Sequence, residues 1–190
     1  NDAGDAGADA EVMAFLEQTF SGGTITYMNS GATDGSEVAD VIVMSSTFGS
    51  GSVRGKFHNS PVGILHWEEA LMDSGAGEFG QSLVSMTKST DVVTMNLGNH
   101  PAAGDLAGLT IDFFTGAGPE TLGSAELSSG TEAVGTAADG SISGLPMLFV
   151  TEAGEDVAEG AGIDGNISPA RRVSFRSEEH TSELQSRRTP

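Results

Sequence analysis

The chain contains no cysteine. That excludes disulfides, thiolate nucleophiles and zinc or iron–sulfur centres built on cysteine, and it is neutral on compartment. Basic residues are scarce too: 8 Lys+Arg stand against 27 Asp+Glu, a formal charge of −19 over 190 residues. Phosphate contacts need clustered Lys and Arg, so nucleic acid is excluded as a partner. The same deficit argues against an anionic membrane surface. No run approaches the ~20 apolar residues of a membrane span. An initiating Met and a signal peptide are missing, and the chain opens in the polar stretch NDAGDAGADA. It therefore reads as a piece of something longer.

The 37% hydrophobic content suits one domain with a lean core, and 27 glycines imply many turns. An acidic, lysine-poor surface favours solubility and suits a saline or extracellular setting. The organising stretch is Asp40–Leu71, DVIVMSSTFGSGSVRGKFHNSPVGILHWEEAL. It holds two short apolar runs, Val41–Met44 and Val62–Leu65, each followed at once by polar or aromatic residues. Such runs, too short for a helix and without polar alternation, predict strands buried on both faces. The small-residue crossover between them predicts parallel neighbours with their polar ends on one sheet edge, where open α/β sheets bind ligands.

Ahead of this stretch, Val12, Phe15, Leu16 and Phe20 form a helical stripe over 9–20, with Asp9 as its N-cap and Gly22-Gly23 as its stop. Thr24–Met28 is a strand by its β-branched and aromatic content, and Ser36–Ala39 has room for one helical turn. After Pro61 and the second apolar run, Glu68–Asp73 makes a short helix. Ser82–Met86 and Asp91–Asn96 predict a hairpin around Lys88-Ser89-Thr90. His100–Ala103 is a loop or short helix, Leu109–Phe114 a strand and Pro119–Leu122 part of a turn. Glu132–Thr136, Pro146–Thr151 and Arg172–Phe175 complete the strand candidates. Arg176–Ser186, RSEEHTSELQS, resembles a translated sequencing-library adapter. Residues 176–190 are accordingly treated as a non-native tail and 1–175 as one domain.

Four places carry candidate chemistry. Ser45-Ser46-Thr47 follows the first strand. A serine nucleophile there would need a base and an oxyanion hole, and no G-x-S-x-G is present, while the hydroxyls suit capping of the next turn. His66 and Glu68 lie two apart at the end of the second strand and point to one side. They suit packing and helix capping, a polar pocket, a general acid–base pair or, with His100, a metal site. Trp67 between them is core or pocket wall. Gly49–Lys56 lacks phosphate-loop spacing, because Phe57 follows Lys56. Its glycines and hydroxyls beside Arg54 and Lys56 read as flexible crossover or as an anion cradle. Arg171-Arg172 reads as pairing with carboxylates. Asp2–Asp9 and Glu155–Asp164 are acidic and glycine-rich but lack the calcium-loop pattern.

The blocks ADVIVMSSTFGSGSVRGKFHNSPVGILHWEEALMD, HPAAGDLAG and SPARRVSF resemble, in that order, a domain of large secreted multidomain bacterial proteins. That domain is similar to the trehalose-utilisation (ThuA-like) and class I glutamine-amidotransferase-like folds. The resemblance implies an α/β three-layer sandwich of flavodoxin-like type, with a mostly parallel central sheet plus antiparallel additions, here cut at both ends. Where the amidotransferases carry a cysteine elbow, this chain has Leu65-His66-Trp67-Glu68, so glutaminase chemistry is excluded. The implied function is a non-catalytic recognition or structural domain of a secreted bacterial protein. Its expected partners are other domains of the parent chain, or a carbohydrate or small polar ligand held by Ser45, Ser46, Thr47, His66, Trp67 and Glu68. No cofactor and no metal is expected. The alternative is a degenerate or unrecognised hydrolase or sugar-processing domain using His66 and Glu68, with Ser46 nearby.

Overall fold

The computed structural model describes residues 6–26, 28, 31, 33–35, 38–45, 49–90, 93–114, 120–138 and 143–175. Among them are one α-helix, α1 (Ala6–Thr19), and nine strands: β1 (Val41–Met44), β2 (Gly63–His66), β3 (Ser82–Thr90), β4 (Val93–Leu97), β5 (Thr110–Phe114), β6 (Glu120–Leu127), β7 (Thr131–Ala137), β8 (Pro146–Thr151) and β9 (Arg172–Phe175). Seven strands make one sheet in the order β1-β2-β9-β8-β7-β4-β5, and β3 pairs with β6 in a separate ribbon. The architecture is mixed α/β, rich in sheet and poor in helix.

The two apolar runs of the organising stretch are parallel neighbours, with Val41 opposite Gly63 and Met44 opposite His66. β9 joins the far side of β2, also parallel, placing Ile64 opposite Arg172 and His66 opposite Ser174. Parallel strands need a crossover, and here the described part of it, residues 49–62, holds only a 3₁₀ turn, Ser50–Ser52. From β9 onward every pairing is antiparallel: β9 with β8, β8 with β7, β7 with β4 and β4 with β5. Parallel pairing is thus confined to three strands, where most of the sheet was expected to be parallel. The helical layers of a three-layer sandwich are not among the described residues, whose remaining helical segments are short 3₁₀ turns.

Local departures have local causes. The helix starts before the predicted cap, so Asp9 lies in its first turn, where a carboxylate meets the positive end of the helix dipole. Of the expected strand Thr24–Met28, the described residues 24–26 and 28 form none, and Tyr27 lies outside the described residues. Ser36 and Glu37, in the expected turn 36–39, also lie outside them. The predicted hairpin is absent: β3 pairs with β6, Ser82 opposite Leu127 and Thr90 opposite Glu120, while β4 pairs with β5 and β7. The segment read as a turn at Pro119–Leu122 enters β6, whose Gly and Ala content hides its strand character. The helix expected over Glu68–Asp73 is a single 3₁₀ turn, Glu69–Leu71.

Two buried apolar clusters divide the main sheet. One face of β1 and β2 packs Met44 and Ile64 against Val53, Phe57, Leu71 and Phe79 from the connecting segments. The antiparallel strands gather Met95, Leu97, Val134, Ala137, Met147 and Val150 around Ala103.

Candidate functional site

His66 ends β2, and strand alternation puts it on the same face as Ile64. Ser174 stands opposite it on β9. Both side chains are fully buried, as is Gln81, which enters this face from the segment ahead of β3. His66 Nε2 lies 3.1 Å from Gln81 Oε1 and 2.6 Å from Ser174 Oγ, and Ser174 Oγ donates to Gln81 Oε1. Gln81 Nε2 donates to Thr151 Oγ1 and to the Arg172 carbonyl, both at 3.2 Å. From Thr151 the chain of hydroxyls runs to Thr131 at 2.7 Å and on to Ser128 at 2.7 Å. Ser128 Oγ donates to the Gln81 carbonyl at 3.2 Å. The network therefore leaves Gln81 by its side chain and returns to its main chain.

The ring assigns its own protons. Gln81 spends both amide hydrogens on Thr151 and Arg172, so its oxygen must face His66 and Ser174. Ser174 spends its hydrogen on that oxygen, so the His66 Nε2 must carry a proton, which makes the neutral ring the Nε2–H tautomer. His66 Nδ1 is buried without a hydrogen-bond partner among the described residues. Burial holds the imidazole neutral, lowering its pKa to about 4. The Gln81 hydrogen bond and the Glu68 main chain oppose that shift, and the charge of Arg172 adds to it. The Phe79 ring meets His66 edge-on at 4.8 Å and receives the Arg172 guanidinium on its face at 5.4 Å.

Arg172 is itself buried, and among the described residues no carboxylate pairs with it. Its NH1 and NH2 groups donate to the Val62 and Ser60 carbonyls, each at 2.7 Å, and desolvation lowers its pKa to about 10. It clamps the entry to β2 onto β9 instead of pairing with an acid, as the sequence had suggested for both arginines. Arg171, on the opposite face, does pair, its Nε 2.8 Å from Glu152 Oε2.

The candidate residues do not converge. Glu68 is half-buried just past β2, where desolvation pushes its pKa up to about 7 and the Ala70 amide pulls it back. No hydrogen bond or ion pair among the described residues joins its carboxylate to His66. Ser45 Oγ donates to Asp9 Oδ1 of α1 at 2.6 Å, tying the helix to the end of β1. Ser46 and Thr47 lie outside the described residues. Trp67 is buried and stacks on Phe175 at 5.2 Å, which makes it core. His100 cannot join His66 in a metal site. It follows β4, four strands across the sheet from β2 and near its opposite edge. There its Nδ1 caps a 3₁₀ turn by accepting from the Ala102 amide at 3.1 Å. Among the described residues no group of three acidic or imidazole side chains suits a metal ion.

The crossover cations are also committed. Arg54 pairs with the buried carboxylate of Glu78, which accepts from the Gly75 amide at 2.6 Å, and Lys56 donates to the Thr33 carbonyl at 2.7 Å. The loop 49–56 is thus a tied crossover, not an anion cradle. Gln81, Thr151 and Ser174 were absent from the sequence-based site. The available signal was polar residues at alternate positions of otherwise apolar strands, Arg172 and Ser174 on β9 and Thr151 at the end of β8. Two surface grooves, one at the C-terminal end of α1 and one over Val41, Gly63 and Val173, include neither His66 nor Glu68.

No family model matches the chain. No curated protein matches it either. Among solved structures, a cold-adapted β-galactosidase from Rahnella sp. R3 aligns at a TM-score of 0.41 with 13% identity, covering 80% of this chain and 23% of that enzyme. The GH42 β-galactosidase Gan42B aligns at 0.37 with 6% identity, covering 77% of this chain and 21% of that one. The chain thus spans less than a quarter of either enzyme, and their activity is a property of those proteins.

Proposed function

We propose that the chain is a non-catalytic accessory domain, for recognition or structure, of a secreted multidomain bacterial protein, working beside other domains of its parent. The observation that supports this reading most directly is the burial of His66. The imidazole at the strand end expected to bind ligand is sealed between Gln81, Ser174 and Phe79. A general base must reach the proton it takes, and a buried ring bonded to a saturated amide has no substrate proton in reach. Ser45, bonded to α1, and the stacked Trp67 close the same rim. The three parallel strands, with their polar ends together, fit the parallel core of a ThuA-like or amidotransferase-like three-layer sandwich, which is the finer fold assignment within this proposal. The absence of cysteine keeps glutaminase chemistry out of it.

A second reading, a hydrolase or sugar-processing domain, draws on Glu68, whose carboxyl is held protonated up to about pH 7 as a general acid would be. One comparison separates the two. The purified chain and Glu68→Gln are assayed on aryl glycosides and acyl esters between pH 4 and 9. The accessory reading expects the same background rate from both, and turnover by the parent chain that the variant loses would overturn it.

A further inference from the structure

Strand alternation turns Val41, Val43, Leu65 and Val173 to the face opposite His66 and Arg172. Val41 is 47% exposed, and a groove of about 100 Å³ runs over Val41, Gly63, Leu65 and Val173 with Arg171 at its rim. A Cβ built on Gly63 would meet only the Arg171 carbonyl, at 3.8 Å, so the space above it is open. The second unburied apolar surface belongs to α1. Val12, Phe15 and Leu16 recur at helical spacing, yet Phe15 is 63% exposed and Phe20, just past the helix, 51%.

Two features join these surfaces. The first turn of α1 is held at the carboxyl end of β1 by the Ser45–Asp9 hydrogen bond of 2.6 Å. The helix has 14 residues and spans about 21 Å, more than the ~13 Å of a four-residue strand. We infer that α1 is a strap, hinged where Asp9 meets Ser45, which closes over the open face of β1, β2 and β9 and seats its apolar stripe in the groove above Gly63. Removing apolar area from water on both surfaces drives the closure.

Because the chain has no cysteine, paired thiols report the closure without background. Phe15→Cys/Leu65→Cys is treated in dilute solution with a short bis-maleimide, beside Glu17→Cys/Leu65→Cys, whose helical thiol lies about 200° around α1 from Phe15. Intact Trp67 fluorescence certifies the fold of each. Closure predicts a cross-link within one chain that forms about tenfold faster for the Phe15 pair, because the strap raises the local thiol concentration. Equal rates for the two pairs overturn the inference, and so does a cross-link found only between chains, which would put a second copy on the face. Adding Gly63→Leu fills the groove and should abolish the rate difference. A difference that survives Gly63→Leu means that the groove is not the seat, which also overturns it.

Discussion

The parallel and antiparallel halves of the main sheet solve the same packing problem differently. In β8, β7 and β4 the interior is mainly apolar, with Met95, Val134, Ala137 and Met147 all nearly inaccessible, and its buried hydroxyls, Thr131 and Thr151, pair at the ends of β7 and β8 beside Gln81. In β2 and β9 three of the four residues on the covered face are polar: His66, Arg172 and Ser174 stand where the antiparallel strands put methionine and phenylalanine. Antiparallel neighbours satisfy their backbones through the ladder and short connections. The parallel strands are fed by long crossovers whose carbonyls need donors, and Arg172 supplies them to Ser60 and Val62. Gln81 sits on the seam, bonding the parallel strand β9 to Thr151 of antiparallel β8. The two halves should therefore fail differently, one by orphaned polar groups and the other by cavities.

The largest effect is expected at the seam. Gln81→Leu keeps the volume but strips partners from Ser174, Thr151 and His66 in a site without water access. At about 1–3 kcal/mol for each orphaned group, the loss should be about 4 kcal/mol in urea unfolding. A loss under 1 kcal/mol would mean that the ring does not hold the halves together. In the antiparallel half, Met95→Ala leaves a cavity beside Gly135, where a built Cβ would lie 2.9 Å from Met95 Cγ. It should cost about 3 kcal/mol, and equally at pH 5 and pH 7, because no titrating group is involved.

What could be read in advance follows the same divide. β1 and β2 were legible because a continuous apolar run that ends abruptly suits a buried strand and little else. Pro146–Thr151 and Arg172–Phe175 matched their strands because each is a dense β-forming run. Pairing was not legible. β3 meets β6 across a separation that local pattern does not encode, so the nearest strand, β4, looked like the partner. In the site, His66 announced itself by ending an apolar run. Gln81 sits between Gly80 and Ser82 with no periodicity around it, and only the folded chain brings it to Ser174, 93 residues away. Strand-end position suggested an open pocket at His66, but burial depends on what the crossovers lay over the sheet.

Acid should distinguish the halves next. His66 titrates at about 4 when folded against 6.5 unfolded, so between those values the unfolded chain holds more protons and stability falls as the pH drops. Glu68 works the other way: its carboxyl titrates at about 7 when folded against 4.5, so its contribution is present at low pH and is lost as the pH rises through 7. From 4.5 to 6.5 the two slopes oppose, and the parent chain should show a nearly flat stability profile. Glu68→Gln removes one slope and leaves the other. Its stability should decline by about 2 kcal/mol on acidification from pH 6.5 to 4.5. A flat profile in that variant would mean that His66 is not held neutral by burial.

The smallest effects come from two neighbouring arginines that strand alternation sends to opposite faces. Arg172→Lys keeps the charge, but one ammonium cannot span the two carbonyls that the guanidinium fork bridges. Urea unfolding should report a loss of about 1–2 kcal/mol. Arg171→Ala breaks the exposed pair with Glu152, where solvent screens the charges and both side chains lose freedom on pairing. It should change stability by no more than about 0.5 kcal/mol, and by less in high salt. Equal losses at the two positions would remove the distinction between a polar interior on one face of β9 and a solvent-facing rim on the other. That distinction is what makes the parallel half a clamp of buried polar groups and not merely a less apolar copy of its neighbour.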